Sequence, residues 1–257
     1  MTLRSRFAPL VVLAALASQP AWGAADGKVL ELRRTAAELR VDAFIEPAWA
    51  AADSVDDYVQ FAPYNGQTPS RRTVTRVLTT DEALYCLMVC QDDPRQVQAN
   101  TGILDESAGE TVSLMLDTFG DARTAYKFVV SAGGSRSDCR LLDDARNRDY
   151  AWDGVWFAAS RLTAEGYVVE MRIPYRTLQY DRALTAWGLD FDRWRPGDAE
   201  DIYWCAYASN EGQRISKFGR LLLDDFHPAA PGLGVELYPV ALARAMRVGP
   251  GDHDLEG

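Results

Sequence analysis

Beyond residue 70, apolar and polar positions alternate in short runs separated by Gly, Pro, Asn and Asp. In Tyr167–Ile173, the residues Tyr167, Val169, Met171 and Ile173 share one face, opposite Val168, Glu170 and Arg172. In Trp187–Asp192, the apolar Trp187, Leu189 and Phe191 oppose Gly188, Asp190 and Asp192. Successive side chains leave opposite faces of a pleated strand, so a period of two with one wet face predicts antiparallel sheet. Further strands are predicted over Thr73–Thr79, Leu84–Gln91, Thr111–Asp117, Ala125–Ser131, Val155–Arg161 and Ile202–Ala208. Leu84–Cys90 is apolar on both faces and belongs at the centre of a sheet. Runs this short, recurring at roughly 10 to 20 residues with turn residues between them, predict an all-β chain folded as an antiparallel β-sandwich. Helix is expected only in the leader and as short pieces at Pro47–Asp53 and Pro174–Tyr180, and no solenoid-period repeat is present. Ser131–Asp153 reads as one long acidic loop, holding Asp138, Asp143, Asp144, Asp149 and Asp153; a loop of that length inside a domain is usually functional or disordered.

The two ends read differently from the middle. Arg4 and Arg6 precede an apolar run from Phe7 through Ala17, then Pro20 and Ala21-Trp22-Gly23. Basic residues, a short apolar run and small residues before a cut site make a signal peptide over 1–23, too short for the roughly 20 residues of a membrane span. The expected product is exported, to the periplasm, the outer membrane or the medium. A leader at 24–39, a domain at 40–225 and a Pro/Gly-rich tail or linker at 226–257 complete the division.

The 257 residues carry a net charge of −10, which argues against a nucleic-acid partner, since such a surface must replace phosphate counterions with cations. Cys86 and Cys90 lie in one strand, about 13 Å apart at strand rise, beyond the roughly 7 Å that a disulfide spans. All four cysteines read as small buried hydrophobes, with a Cys139–Cys205 bridge left open. His227 and His253 are the only histidines, so no Cys/His metal cluster forms.

Several motifs, in order, resemble family 9 carbohydrate-binding modules, in the version found at the N-terminus of bacterial outer-membrane β-barrel proteins. They are Glu46-Pro47-Ala48-Trp49, Gln91-Asp92-Asp93-Pro94, Leu116–Phe128, Trp152-Asp153-Gly154-Val155-Trp156, Gly166–Tyr175, Trp187–Arg193 and Ser216–Leu221. Glu110 and Tyr167 depart from the family's usual Asp and Trp, and Val235-Glu236-Leu237-Tyr238-Pro239 looks like the approach to a barrel. The resemblance implies a jelly-roll-type sandwich, likeness over roughly residues 40 to 225, and a sugar clamped between two tryptophans.

A pyranose has an apolar face and a rim of hydroxyls, so it needs an aromatic platform beside charged or amide partners. Trp152 and Trp156 flank Asp153, and Trp194 lies beside Arg193 and Arg195; Trp152, Trp156, Trp194, Asp153 and Arg193 are the expected ligand-binding set. Trp187 is expected in the core and Trp49 as a structural plug. The resemblance further implies structural calcium, for which Asp92, Asp93, Asp117 and Asp121 are the candidate oxygen ligands. Neither haem nor nucleotide is expected: Met88 and Met115 sit inside strands, where methionine is core filling. The expected function is non-covalent binding of poly- or oligosaccharide by a monomer, linked to carbohydrate catabolism. Two alternatives stand beside it. One is a glycoside hydrolase, with Glu170 as a candidate carboxylate, although Glu170 could equally pair outward with Arg172. The other is a periplasmic docking or plug domain of an outer-membrane barrel.

Overall fold

The computed structural model describes residues 27–100 and 109–223. Expectations for the signal peptide and for the tail beyond residue 223 fall outside these residues. The strands are β1 (Val29–Glu31), β2 (Arg33–Arg34), β3 (Ser54–Val55), β4 (Val59–Ala62), β5 (Thr73–Thr79), β6 (Ala83–Gln91), β7 (Thr111–Asp117), β8 (Ala125–Ser131), β9 (Arg136–Leu142), β10 (Asn147–Asp149), β11 (Phe157–Thr163), β12 (Gly166–Pro174), β13 (Ala186–Arg195), β14 (Glu200–Tyr203) and β15 (Gly219–Leu222). The expected helical pieces are single 3-10 turns at Pro47–Ala51 and Tyr175–Thr177.

Two sheets face each other. One runs β1-β15-β13-β7-β8-β9-β10, with β14 on the free part of β13 and β4 beyond it; the other runs β11-β12-β6-β5-β2, with β3 beside β5. Pairing is antiparallel except at β1–β15 and β2–β5, which are parallel, so the sheets are mixed rather than purely antiparallel. The alternating residues meet where expected. Tyr167, Val169, Met171 and Ile173 of β12 and Trp187, Leu189 and Phe191 of β13 fill one core with Leu114, Leu116 and Phe128. β6 lies between β12 and β5 and is buried on both faces. Gly166 opens β12 with φ +131°, and a Cβ there would stand 2.1 Å from the Cys90 carbonyl oxygen, so the tight β11–β12 turn requires glycine.

Three expectations are corrected. Ser131–Asp153 is a hairpin rather than a loop: β9 pairs with β8, and β10 returns on β9 through Asp143, Asp144 and Ala145, all left-handed. Asp tolerates that conformation because its short side chain bonds locally, and Asp143 accepts from Asn147 Nδ2 at 2.6 Å. Of the faces expected to be wet, that of the smaller sheet is covered and that of the larger sheet is covered in part. Trp49, fully buried as the plug expected from sequence, joins Leu39, Ala43 and Ala52 over Val168, Leu87 and Tyr85 on the outside of the smaller sheet. Glu170 therefore makes no outward ion pair with Arg172; it is buried, accepting from the Asp42 and Ala43 backbone N–H groups at 3.1 Å, and Arg172 turns instead to Glu82 and Tyr85. Asp190 is likewise buried, accepting from Tyr207 Oη at 2.5 Å and Cys205 N at 2.9 Å. Finally, β14 stops at Tyr203 instead of reaching Ala208, because Cys205 N turns to the Asp190 carboxylate. All four cysteines are free and buried, so Cys139 and Cys205 are not bridged.

Candidate functional site

The outer face of the larger sheet has two halves. Over one, Ile215 and Phe218 cover Met115, Ala125, Cys139 and Leu141. The other half is an open groove of about 460 Å³. Strand register determines what lines it. Trp194 of β13 lies between Asp201 of β14 and Thr111 of β7. Two residues along, Asp192 lies between Tyr203 and Ser113, and that row continues through Val129 of β8 to Ser137 of β9. Lys127 and Cys139 form the next row, while Arg148 and Tyr150 close the groove from β10 and the residue after it. Because side chains two apart share a face, these positions converge without any loop excursion.

Trp194 is 36% exposed and Tyr150 67% exposed, so the groove offers two aromatic surfaces to solvent. Between them stand hydrogen-bonding groups of both signs. Lys127 Nζ donates to Asp192 Oδ2 at 2.5 Å. Arg148 and Tyr150 stand together at the edge of the groove. Burial, reinforced by the neighbouring Asp192 charge, pushes the Asp201 carboxyl up to about 7. Burial likewise holds the Tyr203 phenol above its ordinary range, so it remains a donor.

Of the five expected ligand residues, only Trp194 lines this groove. Asp153 is exposed but lines a smaller recess of about 210 Å³ that shares Ser137 and Asp138 with the groove. Trp156 is only 4% exposed: its Nε1 donates to Asp138 Oδ2 at 2.6 Å and its ring meets Phe128 at 5.1 Å, so it offers no open face. Trp152 is half-buried against Tyr126 and Phe128 at 4.8 and 5.8 Å. Its ring also lies over Gly154, where a Cβ would meet Cη2 at 2.6 Å, which accounts for the glycine in Trp-Asp-Gly. Arg193 alternates with Trp194 and therefore points between the sheets, where it is fully buried. Tyr150, Arg148, Asp192, Asp201 and Lys127 were not anticipated. Arg148 and Tyr150 are two apart, so a strand at 147–149 puts both on one face, and that spacing is the signal the sequence carries for two of them.

The four carboxylates expected to hold calcium do not fit that ion. Both Asp92 oxygens are taken by guanidinium donors of Arg193 and Arg195 at 2.7 to 3.2 Å, and two cations beside a carboxylate repel a third. Asp93 is bound bidentately by Arg95. Asp117 accepts from the backbone N–H groups of Phe119, Gly120 and Ala122, and burial pushes its carboxyl up to about 6. Asp121 accepts from Arg123 N, Thr124 N and Thr124 Oγ1. Among the described residues, no three His, Cys, Asp or Glu side chains gather as a metal site.

A family model described as carbohydrate family 9 binding domain-like matches residues 41–225. A family 9 carbohydrate-binding module from Caldicellulosiruptor kristjanssonii, solved with cellotriose, superposes with a TM-score of 0.55 at 15% identity, covering 82% of this chain and 100% of that one. The glucose complex of a family 9 module from the same organism gives 0.55 at 14% identity, covering 81% and 100%. A Bacteroides uniformis protein provisionally described as carbohydrate-binding gives 0.58 at 12% identity, covering 76% and 99%. At these identities the likeness establishes the shared sandwich. No curated protein sequence matches the chain.

Proposed function

The chain belongs to the carbohydrate family 9 binding domain-like family, and from that membership we propose that it binds saccharide non-covalently in the groove on its larger sheet. The observation that supports this most is the placement of two exposed aromatic rings, Trp194 and Tyr150, in one cavity with Asp192, Asp201, Lys127 and Arg148. An aromatic face takes the apolar C–H surface of a pyranose, and charged groups take its hydroxyls through hydrogen bonds about twice as strong as neutral ones. Solved family 9 modules with cellotriose and glucose make β-linked glucose oligomers the first ligands to try. Substitution of Trp194→Ala should weaken retention on insoluble cellulose and in cellotriose titration by at least about tenfold, some 1.4 kcal/mol. Wild-type retention by W194A would remove the groove from sugar binding.

Binding rather than hydrolysis fits the carboxylate named from sequence, because Glu170 is sealed beneath Asp42 and Ala43, away from the groove. We also read residues 1–23 as an export signal, which places sugar capture outside the cytoplasm and in service of carbohydrate catabolism. Mass spectrometry of the N-terminus from a periplasmic extract checks that reading; an intact Met1 there contradicts it.

A further inference from the structure

We propose that the buried guanidinium–carboxylate cluster around Arg195 positions Trp194 for the ligand, an inference that rests on the saccharide reading of the groove. Among the described residues the Trp194 side chain makes no hydrogen bond and no ring contact, yet it lines the groove. Its direction must therefore come from its backbone, and both neighbours of that backbone are clamped. Arg193 Nη2 donates to Asp92 Oδ2 at 2.7 Å and to Glu110 Oε2 at 3.2 Å, with Nη1 reaching the Gln91 carbonyl at 3.2 Å. Arg195 Nε donates to Asp92 Oδ2 at 2.8 Å, its Nη2 to Asp92 Oδ1 at 3.2 Å, and its Nη1 to Glu200 Oε2 at 2.9 Å and Ser70 Oγ at 2.8 Å.

Asp92 directly follows β6 of the opposite sheet, so the cluster ties the two sheets at the residues flanking Trp194. Glu200 extends the tie to β14, whose next residue, Asp201, stands across from the Trp194 ring. The strand alternation makes this possible: 193 and 195 point inward while 194 points outward. Stability alone is a weak reason for such a cluster, because buried ion pairs often do no better than apolar side chains of the same volume. Holding one ring at a fixed angle is a task for which a planar, bidentate guanidinium is better suited than a lysine.

The test uses the full chain labelled with 5-fluorotryptophan, with Trp194 assigned by W194F, and cellotriose and glucose as probes. Arg195→Lys keeps the charge but loses the fork. It should lower cellotriose affinity at least fivefold and shift or broaden the Trp194 resonance, while Trp187 and Trp204 in the core keep theirs. Ser70→Ala removes one link without stranding a buried charge, so it serves if R195K fails to fold, and it should move the same resonance by a smaller amount. Unchanged Trp194 resonances in the folded variants overturn the positioning role even when wild-type protein binds cellotriose. If wild-type protein binds neither probe but R195K or S70A moves the Trp194 signal, the groove reading fails while the mechanical coupling stands.

Discussion

At the residue scale, buried carboxylates dominate the chemistry. Burial raises the Glu170 carboxyl to about 7, against which its two backbone hydrogen bonds pull only partway. Among the described residues its Oε1 has no partner. An acid whose folded value lies above its unfolded one is protonated in the native state while the unfolded chain is already ionised. Stability from this group is therefore greatest below the ordinary carboxylate range and is lost as pH rises toward about 7. Glu170→Gln should thus gain on the wild type between pH 5 and pH 8 by about 2–3 kcal/mol, at 1.4 kcal/mol per unit; urea unfolding at the two pH values measures it, and a constant difference would show that Glu170 does not titrate there. Trp156→Phe should cost about 1–3 kcal/mol through the lost bond to the buried Asp138, again read by urea unfolding. Glu170 falls on the polar side of a clean alternation, and nothing in that alternation says that residues 39–52 will fold across it.

At the element scale, the β9–β10 hairpin is what builds the far wall of the groove. Leu141 on β9 is fully buried with Met115, Ile215 and Phe218. Leu141→Ala should cost about 2–5 kcal/mol, as for other core leucines, and a cost within about 0.5 kcal/mol would mark the segment as surface. Strands with an unbroken apolar stripe were legible residue by residue: Thr73–Thr79, Thr111–Asp117 and Ala125–Ser131 match to the residue. β9 was not, because its inward positions include polar side chains that find partners only in the folded chain. Asp138 takes the Trp156 indole, Arg136 reaches the Trp156 carbonyl, and Arg140 pairs with Asp149 at 2.6 Å. Acids and arginines in alternation look like a solvated loop until the second strand supplies the opposite charge. The misplacement of Arg193 has the same origin: a charged residue beside an exposed tryptophan looks like a binding partner, and only the register shows that it faces the other way.

At the scale of the whole molecule, the order of the strands sets where a ligand can lie. Ile215 and Phe218 close one end of the larger sheet, and the N-terminal segment closes the outside of the smaller one. The polar half of the larger sheet stays open as the groove, and a second recess, of about 620 Å³, lies between residues 34–39 and Thr80, Asp81, Glu82 and Tyr85 without an exposed tryptophan. Cohesion comes from apolar packing between the sheets, and the candidate calcium ligands are already satisfied by protein donors. A chelator should accordingly leave the Tm unchanged; a fall in Tm restored by added calcium would show a metal site the donor pattern does not reveal. The sandwich and its core were readable from period-two patterning, whereas the groove depends on six strands from distant parts of the chain lying side by side. The most direct measurement is a crystal soaked with cellotriose. Sugar binding in the groove predicts a pyranose ring stacked on Trp194 with its hydroxyls on Asp192, Asp201 or Arg148. Density for the sugar elsewhere on the molecule, with the groove empty, would contradict it.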